Sequence, residues 1–500
     1  MKNINFKSKL KWLLPFSILI IILFIIPFFI VREESSKNNI NQYKMELVYN
    51  ESLNILEGCE EVTYYNNSDN MFSSLYFHLY PNAFRQGAKN KIVSTNKISE
   101  CYPNGESYGE IEIKSCYFND FLYQYEITGE DFNILKIDLL EPLYPDEKVE
   151  ICIDFVTKLA NINHRLGYGE STINLANFYP IACVYENGKG FSQSLYHSNG
   201  DPFYSDCSDY EVSIDFNKKF QIASSGNLVE SKKEDNVIKN KYKAPSLRDF
   251  AILLSEKFEV KSTQVDGVII EYLGYQGDDN INKCLQVAVD SLNTFNKLFG
   301  KYPYKKLAVV KSNFLHGGME YPSLVMISDK VAESDFEYVI VHEIAHQWWY
   351  AVVGNDEYNH AWQDEALAEY STLMFYKENP QYGEDFDLMI KGANDSYKLF
   401  EEVYTKVQGF VDGKMDRPIC DFQTEPEYVQ CTYTKGVLMF NNIRQLIGDD
   451  KFLKALSHYY KDFMFKNATP EDLISIFIKY GGRKMENLFN SWLEGKVIFK

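Results

Sequence analysis

Cysteine is sparse in this sequence of 500 residues, and its nine cysteines lie far apart. None forms a C-x-x-C pair, so the sequence gives no sign of a cysteine-ligated metal site. The count is odd, and buried free thiols are the favoured interpretation, with one or two disulfides as the alternative if the protein is exported. Internal repeats are also missing, as are low-complexity tracts outside one apolar run near the N-terminus.

Positive charge is scarce as well. The chain has 51 Lys and Arg against 70 Asp and Glu, a formal net charge of −19. Such a surface repels phosphate backbones, so we expect no nucleic-acid partner, whereas cationic groups such as free amines suit it. Hydrophobic residues make up 45% of the chain and aromatic residues 15%, enough for substantial cores. This composition excludes a disordered chain, a collagen-like chain and a small disulfide scaffold.

Residues 12–31 contain no charged residue and are almost wholly apolar. A helix of this length spans about 30 Å, the thickness of a bilayer core. Four lysines precede the run, namely Lys2, Lys7, Lys9 and Lys11. This positive excess predicts a single-pass protein of the cell membrane, with a cytoplasmic tail and anchor in residues 1–31 and everything after residue 32 outside. A cleaved signal peptide is the alternative, but Phe28–Val31 offers no small-residue cleavage site.

The remaining sequence divides into a polar tether at residues 32–42, a β-rich domain at 43–260 and a mainly helical domain at 261–500. Alternating or β-branched runs bounded by turn residues predict strands and β-sandwich-like packing in the first domain. These runs are residues 74–80, 134–140, 150–156 and 210–216. Helical periodicity dominates the second domain, at residues 280–298, 335–352, 361–378, 383–407, 435–447, 450–465 and 470–494. The predicted fold class is therefore α+β behind a transmembrane helix.

The candidate chemistry lies in the second domain, where residues 342–346 read His-Glu-Ile-Ala-His. Positions i and i+4 share one face of a helix, so His342 and His346 can bind one Zn²⁺. Glu343 lies beside them and can reach a metal-bound water. The helix is predicted to begin with a capping box at residues 334–337.

A catalytic zinc site needs a third protein ligand. One class of zinc proteases supplies a later histidine, but Trp349 and Val352 occupy the motif positions of that class here and exclude it. Glu365 follows His346 after 18 residues, on a second predicted helix that returns towards the first. We therefore predict Glu365 as the third ligand. An ordinary surface glutamate at this position, or His360 as the ligand instead, are the alternatives.

The order H-E-x-x-H-x₁₈-E resembles the M1 family of zinc metallopeptidases, whose known members are largely aminopeptidases. Residues 317–321 (Gly-Gly-Met-Glu-Tyr) are similar to the G-x-M-E-N motif of this family, with Tyr321 in place of Asn. Residues 433–436 (Tyr-Thr-Lys-Gly) are similar to its Y-x-K-G segment. The resemblance implies a thermolysin-like catalytic domain behind the β-rich domain and one Zn²⁺ per chain. It also implies a short, membrane-anchored form without the C-terminal helical domain of larger members.

The resemblance also implies roles for individual residues. Glu320 is expected to bind the free α-amine of a substrate, and the backbone at Gly317 and Gly318 to lie against it. Tyr433 is expected to donate a hydrogen bond to the oxyanion of the tetrahedral intermediate. Glu369 lies one helical turn after Glu365 and could orient a zinc-ligating histidine, although a solvated helix face is an equal alternative.

These assignments predict a zinc-dependent aminopeptidase that hydrolyses the N-terminal peptide bond with a zinc-activated water. Its expected partners are peptides with a free N-terminus and, through residues 12–31, a lipid bilayer. Two other functions stay open. A zinc endopeptidase would use the same metal residues without Glu320, and a non-catalytic, membrane-tethered module would bind peptides only.

Overall fold

The computed structural model describes residues 39–119 and 121–497, so the predicted membrane segment at residues 12–31 lies outside the described part of the chain. Among the described residues, no helix is both long enough and apolar enough to cross a bilayer. The first strand begins at Asn41, so the last two positions of the predicted tether are already in the sheet. Its residues alternate between buried and exposed, which is the pattern of a strand with one face on a core.

Strands dominate residues 41–255, as the alternating runs predict. In chain order they are β1 (Asn41–Asn50), β2 (Ile55–Tyr65), β3 (Phe72–His78), β4 (Glu110–Phe118), β5 (Phe121–Leu122), β6 (Gln124–Thr128), β7 (Ile134–Leu143), β8 (Lys148–Lys158), β9 (Leu166–Tyr168), β10 (Ile173–Leu175), β11 (Ile181–Ala182), β12 (Tyr185–Glu186), β13 (Gly190–Phe191), β14 (Ser208–Asn217), β15 (Gln221–Ser224), β16 (Asn227–Glu234), β17 (Val237–Leu247) and β18 (Ile252–Ser255). Short turns of 3₁₀ helix at Tyr80–Phe84 and Thr95–Lys97 and a four-residue helix, α1 (Ile98–Cys101), interrupt them.

These strands form one large sheet and three smaller ones. The large sheet has the order β16-β17-β14-β1-β2-β8-β4-β5. Two four-stranded sheets, β15-β18-β10-β9 and β11-β3-β7-β6, accompany it, together with the β12-β13 hairpin. Within the large sheet β1 pairs in parallel with β14, Met45 opposite Val212, and antiparallel with β2. The buried faces of these strands supply one continuous apolar core that extends into the second domain.

A mixed sheet opens the second domain. Its strands are β19 (Phe258–Val265), β20 (Val268–Tyr275), β21 (Lys306–Ser312), β22 (Gly318–Met319) and β23 (Leu324–Ser328). The helix α2 (Ile281–Leu298) connects β20 to its parallel neighbour β21, as expected for a crossover between parallel strands. The sheet order β19-β20-β21-β23-β22 leaves β22 at an edge, where one side of its backbone is free for another chain.

Helices form most of the rest of the second domain. They are α3 (Phe336–Ala345), α4 (Glu357–His360), α5 (Trp362–Glu378), α6 (Phe386–Gln408), α7 (Glu425–Val429), α8 (Lys435–Ile447), α9 (Asp449–Asp462), α10 (Pro470–Gly481) and α11 (Lys484–Leu493). A π-helical turn, Gln430–Thr434, lies between α7 and α8. Two short strands, β24 (Val353–Gly354) and β25 (Lys466–Asn467), pair in parallel.

Three local predictions in this domain are wrong. The helix predicted at 335–352 ends at Ala345, because the chain turns at Tyr350, whose φ is 136°, to enter β24. The helix predicted at 470–494 is two helices, separated at Gly482, which has a φ of 79°. The predicted capping box does not form: the residue before α3 is Asp335, and its side chain caps no backbone N–H.

Arg248 joins the β-rich domain to the helical one. Its Nε donates to the carbonyl oxygen of Tyr350 at 2.9 Å, and one terminal nitrogen donates to that of Lys466 at 3.1 Å. The other terminal nitrogen donates to the carbonyl oxygen of Ser205 in the β-rich domain. The side chain is 1% exposed. The carbonyl groups supply the hydrogen bonds that the guanidinium loses with water when it is buried.

All nine cysteines are described as free thiols, in agreement with the favoured interpretation of their spacing. Six of them are buried, and Cys420 is exposed.

Candidate active site

Two helices bring the predicted ligand atoms together. His342 lies in the last turn of α3, His346 directly follows this helix, and Glu365 lies in the first turn of α5. The two Nε2 atoms of the histidines are 3.2 Å apart. Glu365 Oε2 is 3.1 Å from His346 Nε2 and 3.4 Å from His342 Nε2. Three ligand atoms of different side chains therefore converge on one point.

This donor set fits Zn²⁺. Ligand atoms about 2.0–2.1 Å from a tetrahedral zinc lie about 3.3 Å from one another, close to the three separations observed. Two imidazoles and one carboxylate match the three-ligand sets of catalytic zinc sites, which keep a fourth position open. Glu365 and His346 are buried and His342 is nearly so, and their ligand atoms lie close enough to hold one metal ion.

Partners on the far side of each ring fix the orientation of the two histidines. His346 Nδ1 is 2.9 Å from the carbonyl oxygen of Trp349, a geometry that suits an Nδ1–H donor. His342 Nδ1 lies 2.8 Å from Glu369 Oε2, and Tyr338 donates a hydrogen bond to the other oxygen of Glu369 at 2.5 Å. Both rings therefore point their Nε2 atoms at the ligand centre. Glu369 stands where the helix spacing predicts it, against a histidine rather than on a solvated face.

Glu343 lies beside the ligand centre, against the edge strand β22. A Cβ placed on Gly318 would overlap its carboxylate, so the strand approaches the carboxylate as closely as a glycine permits. Burial raises the pKa of Glu343 to about 7, although His342 and His346 act in the opposite direction. A carboxyl group with a pKa near neutrality can both accept and donate a proton.

Glu320 follows β22 and is 3% exposed. Its Oε1 atom has no hydrogen-bond partner among the described residues. The side chain of Gln347 fixes the turn behind it, because its amide nitrogen donates to the carbonyl oxygens of Glu320 and Tyr321, both at 3.2 Å. Burial raises the pKa of Glu320, as do Asp201 and Glu343, whereas His346 lowers it. The site thus contains a buried carboxyl group with one oxygen that no described residue hydrogen-bonds.

Tyr433 lies in the π-helical turn and faces the ligand centre. Its hydroxyl donates a hydrogen bond to Glu365 Oε1, the oxygen that does not face the histidines. Its ring lies 5.9 Å from the ring of His342. Turns of π helix are frequent at functional sites because they displace one side chain from the regular helical face.

His360, the alternative ligand, is directed elsewhere. Its Nδ1 atom lies 2.6 Å from Asp416 Oδ1, and Trp362 donates to the same oxygen at 3.0 Å. The alternative is therefore wrong, because these contacts hold the imidazole in an ion pair with Asp416.

The predicted ligands line one cavity of about 340 Å³ together with Glu320, Glu343, Glu369 and Tyr433. Its wall includes both glycines of the predicted motif, Gly317 and Gly318, so the free edge of β22 faces the cavity. An extended peptide in this cavity can therefore pair with the strand.

Comparison with known proteins agrees with this geometry. Residues 284–492 match the model of the peptidase family M1 domain. This part of the chain is similar to the catalytic domain of peptidase family M1. The chain is 25% identical over 239 residues to aminopeptidase M1-D of Oryza sativa subsp. japonica, an alignment that covers 43% of the chain and 26% of that protein. It is 28% identical over 219 residues to endoplasmic reticulum aminopeptidase 2 of Homo sapiens, which covers 40% of the chain and 22% of that protein.

Solved structures share the fold of this chain over most of its length. An M1 zinc metallopeptidase from Deinococcus radiodurans, in a mutant form bound to a Tyr-Ser-Ala substrate, superposes with a TM-score of 0.61 at 17% identity. The match covers 92% of this chain and 94% of that one. A two-domain M1 zinc metallopeptidase bound to L-arginine gives a TM-score of 0.63 at 16% identity. Zinc is the metal of these M1 peptidases, and the ligand set of this chain suits the same metal.

Arg165, Lys97 and Glu425 lie around the site but carry no sequence signal. Arg165 is 6% exposed and forms an ion pair with Asp201, and both line the cavity. Lys97 and Glu425 line it as well and form a second ion pair. A dipeptide Asp201-Pro202 is too common to mark a site, and the other three residues stand in no motif. Only the packing of the two domains brings them to the cavity.

Proposed function

We propose that this chain is a zinc-dependent aminopeptidase that hydrolyses the first peptide bond of peptides with a free N-terminus. The observation that carries the proposal is Glu320, whose buried carboxylate has an oxygen without a partner, within the same cavity as the predicted zinc ligands. A buried carboxylate needs a hydrogen-bonding or cationic partner, and the α-ammonium group of a peptide supplies one. An endopeptidase would have no ammonium group to place there.

His342, His346 and Glu365 would hold the zinc ion, whose chemistry is that of a Lewis acid that lowers the pKa of water. Glu343 accepts a proton from the attacking water and passes it to the nitrogen of the leaving group. Its pKa of about 7, which burial raises from the ordinary range, suits a group that takes and gives a proton in one cycle. Glu369 and the carbonyl oxygen of Trp349 keep the two imidazoles oriented throughout.

The other residues place the scissile bond. Glu320 binds the α-ammonium group and so determines that the reacting carbonyl is the first one of the chain. The edge of β22 pairs with the extended substrate backbone. Tyr433 redirects its hydroxyl hydrogen from Glu365 to the oxyanion as negative charge develops on the carbonyl oxygen, which stabilises the transition state more than the ground state.

The test compares free-amine aminoacyl reporters with their N-acetylated forms, using the full-length chain purified in detergent, with and without a zinc chelator. We expect cleavage of the free-amine reporters only, and loss of that cleavage with chelator. Equal cleavage of the acetylated reporters would show an endopeptidase. Zinc binding without cleavage of either set would favour the non-catalytic, peptide-binding alternative.

A substitution that keeps shape connects this preference to one residue. Glu320→Gln removes the negative charge and keeps the size of the side chain, so kcat/KM for free-amine reporters should fall by about 10²-fold or more. Zinc content, measured by atomic absorption, should stay at one ion per chain. If the variant kept the wild-type preference for free amines, Glu320 would not be the amine-binding residue.

We also propose, from the sequence, that residues 12–31 anchor the catalytic region outside the cell with a cytoplasmic N-terminus. Protease added to intact cells should then degrade the catalytic region and leave an N-terminal tag protected. Protection of both parts would contradict this topology.

A further inference from the structure

An ion pair at the wall of the active-site cavity links the two domains. Lys97 ends a 3₁₀ turn in the β-rich domain, and Glu425 is the first residue of α7. Their Nζ and Oε1 atoms are 2.5 Å apart, and each side chain is 29% exposed. Both residues line the cavity that holds the predicted zinc ligands, so a bound peptide would meet this pair.

The pair shares its cavity with the groups around the proposed amine position. Glu320 holds the amine in the proposed function, and Asp201, which acts on the pKa of Glu320, forms an ion pair with Arg165. His316 also lines the cavity: after burial, the main effects on its pKa, which is lowered to about 3, come from Arg165 and Lys97. Arg165, His316 and Lys97 therefore line one small cavity together with the amine-binding carboxylate.

The substrate residues after the first one extend in a different direction. Val339 of α3 is the nearest side chain to a Cβ built on Gly317, at 3.9 Å, and it also lines the cavity. A peptide that pairs with β22 and has its amine at Glu320 would extend past Gly317 towards Val339. The side chain of its first residue, attached to the same Cα as the amine, would stay within the cavity that Arg165 and Lys97 line.

The charges of these two basic residues are balanced in pairs. Arg165 is bound by Asp201 and Lys97 by Glu425, while the burial that lowers the pKa of His316 keeps this imidazole neutral at pH 7. The remaining lining includes the polar residues His197, Ser198 and Asn199 and a larger set of apolar or aromatic ones, Ile92, Tyr196, Leu315, Tyr428 and Val429. A charged first side chain would lose water here without gaining a free counter-ion.

We propose that Lys97 and Glu425 are specificity-determining residues whose mutual neutralisation restricts the site to peptides with an uncharged, apolar or aromatic first residue. This inference rests on the proposed function for the position of the substrate amine. Each member of the pair masks the other, so removal of one exposes a binding charge of the opposite sign.

The experiment measures kcat/KM for Leu, Arg and Glu reporters with the full-length enzyme and three variants. The wild type should cleave the Leu reporter at least about tenfold better than the other two. Lys97→Met exposes Glu425 and should raise the Arg-to-Leu ratio about tenfold, whereas Glu425→Gln exposes Lys97 and should raise the Glu-to-Leu ratio by a similar factor. The double variant should return to the wild-type order, because both charges are then absent.

Two controls separate this effect from damage to the fold. Lys89→Met breaks an exposed ion pair with Glu130 in the same domain and should leave all three ratios unchanged. The reversed pair, Lys97→Glu with Glu425→Lys, keeps the neutral contact and should keep the wild-type order. Unchanged ratios in both single variants, or a wild type that prefers Arg or Glu, would overturn the proposal.

A binding measurement tests the preference for an uncharged first residue independently of turnover. Calorimetry with the peptides Leu-Ala-Ala, Arg-Ala-Ala and Glu-Ala-Ala should give the same order of affinities in each variant as the reporters give in kcat/KM. If the wild type cleaves no reporter, the proposed function fails. These affinities alone then confirm or overturn the preference for an uncharged first residue.

Discussion

Two glutamates in neighbouring helices of the site have opposite electrostatic surroundings. Burial raises the pKa of Glu343 to about 7. Burial acts in the same direction on Glu365, but His346 and His342 outweigh it and lower the pKa of that carboxyl group. One glutamate can therefore exchange protons near neutrality while the other stays ionised as a ligand.

The Glu343→Gln variant tests the proton-transfer role directly. An amide cannot accept the proton of the attacking water, so kcat should fall by about 10²–10⁴-fold. The zinc ligands are unchanged, and metal content should stay at that of the wild type. Near-normal turnover with zinc bound would exclude Glu343 as the general base.

The Tyr433→Phe variant separates binding from catalysis. Removal of the hydroxyl should lower kcat by about 10²–10³-fold and change KM little, because the oxyanion exists only after the carbonyl is attacked. Steady-state kinetics on a free-amine reporter measure both values. A rise in KM with kcat unchanged would place the hydroxyl in substrate binding instead.

Local spacing predicted the three residues whose ligand atoms converge, because His342 and His346 share a helical face whatever surrounds the helix. Glu365 followed from the short loop that returns the next helix. Arg165 and Lys97 could not be identified in this way. They lie between strands of the β-rich domain, and each contacts a residue of the second domain that is far away in the sequence: Lys97 pairs with Glu425 and Arg165 contacts Met319.

At the scale of elements, the approach of β22 to α3 sets the position of the catalytic carboxylate. This approach requires Gly318, since any side chain there would occupy the space of the Glu343 carboxylate. The sequence shows glycines at 317 and 318 alike and gives no means to distinguish them. The structure does, because a Cβ on Gly317 would meet nothing nearer than Val339 at 3.9 Å.

Gly318→Ala should therefore displace Glu343 and lower kcat by about tenfold or more, since small misplacements of a catalytic group are costly. Gly317→Ala adds the same methyl group one position earlier and should leave kcat within about twofold. The two kcat values, measured on one reporter with metal content checked, make the comparison. Equal losses in both variants would show that the segment tolerates no side chain at all, and that Glu343 is not the reason.

Periodicity located the helices of the second domain well and their ends poorly. Helix α8 occupies the predicted residues 435–447, because its buried face repeats regularly up to the glycine that follows it. The apolar pattern of residues 335–352 continues past the end of α3, since Trp348 and Trp349 are buried in a turn rather than in a helix. Burial alone does not distinguish these two conformations.

At the scale of the whole molecule, the large sheet contains a buried carboxyl group without a hydrogen-bond partner among the described residues. Glu60 of β2 is 0% exposed, and neither of its carboxylate oxygens has a hydrogen-bond partner among the described residues. Burial raises the pKa of Glu60. The folded protein therefore holds this proton more tightly than the unfolded chain does.

The free energy of unfolding therefore depends on pH through Glu60. As pH rises above about 4.3, the ordinary pKa of glutamate, the contribution of Glu60 to the free energy of unfolding decreases by about 1.4 kcal/mol per pH unit until the folded-state pKa is reached. Glu60→Gln lacks this loss, so the variant should melt at a higher temperature than the wild type, and by a larger margin at pH 8 than at pH 5.

Calorimetric melting of both proteins at the two pH values measures these margins. The matched control is Glu61→Gln, the next residue of β2, whose side chain is exposed and paired with Lys44. It should change the melting temperature little at either pH. A margin for Glu60→Gln that shrinks from pH 5 to pH 8 would contradict the argument.

The π-helical turn that carries Tyr433 limits the insertions and deletions that this protein can tolerate during evolution. An α-helix rotates about 100° per residue, so one residue gained or lost in residues 430–434 turns α7 by that angle against α8. The buried face of α8 and the cavity-lining face of α7 could not both keep their places after such a change. Selection should therefore tolerate many amino acids in this turn and very few insertions or deletions.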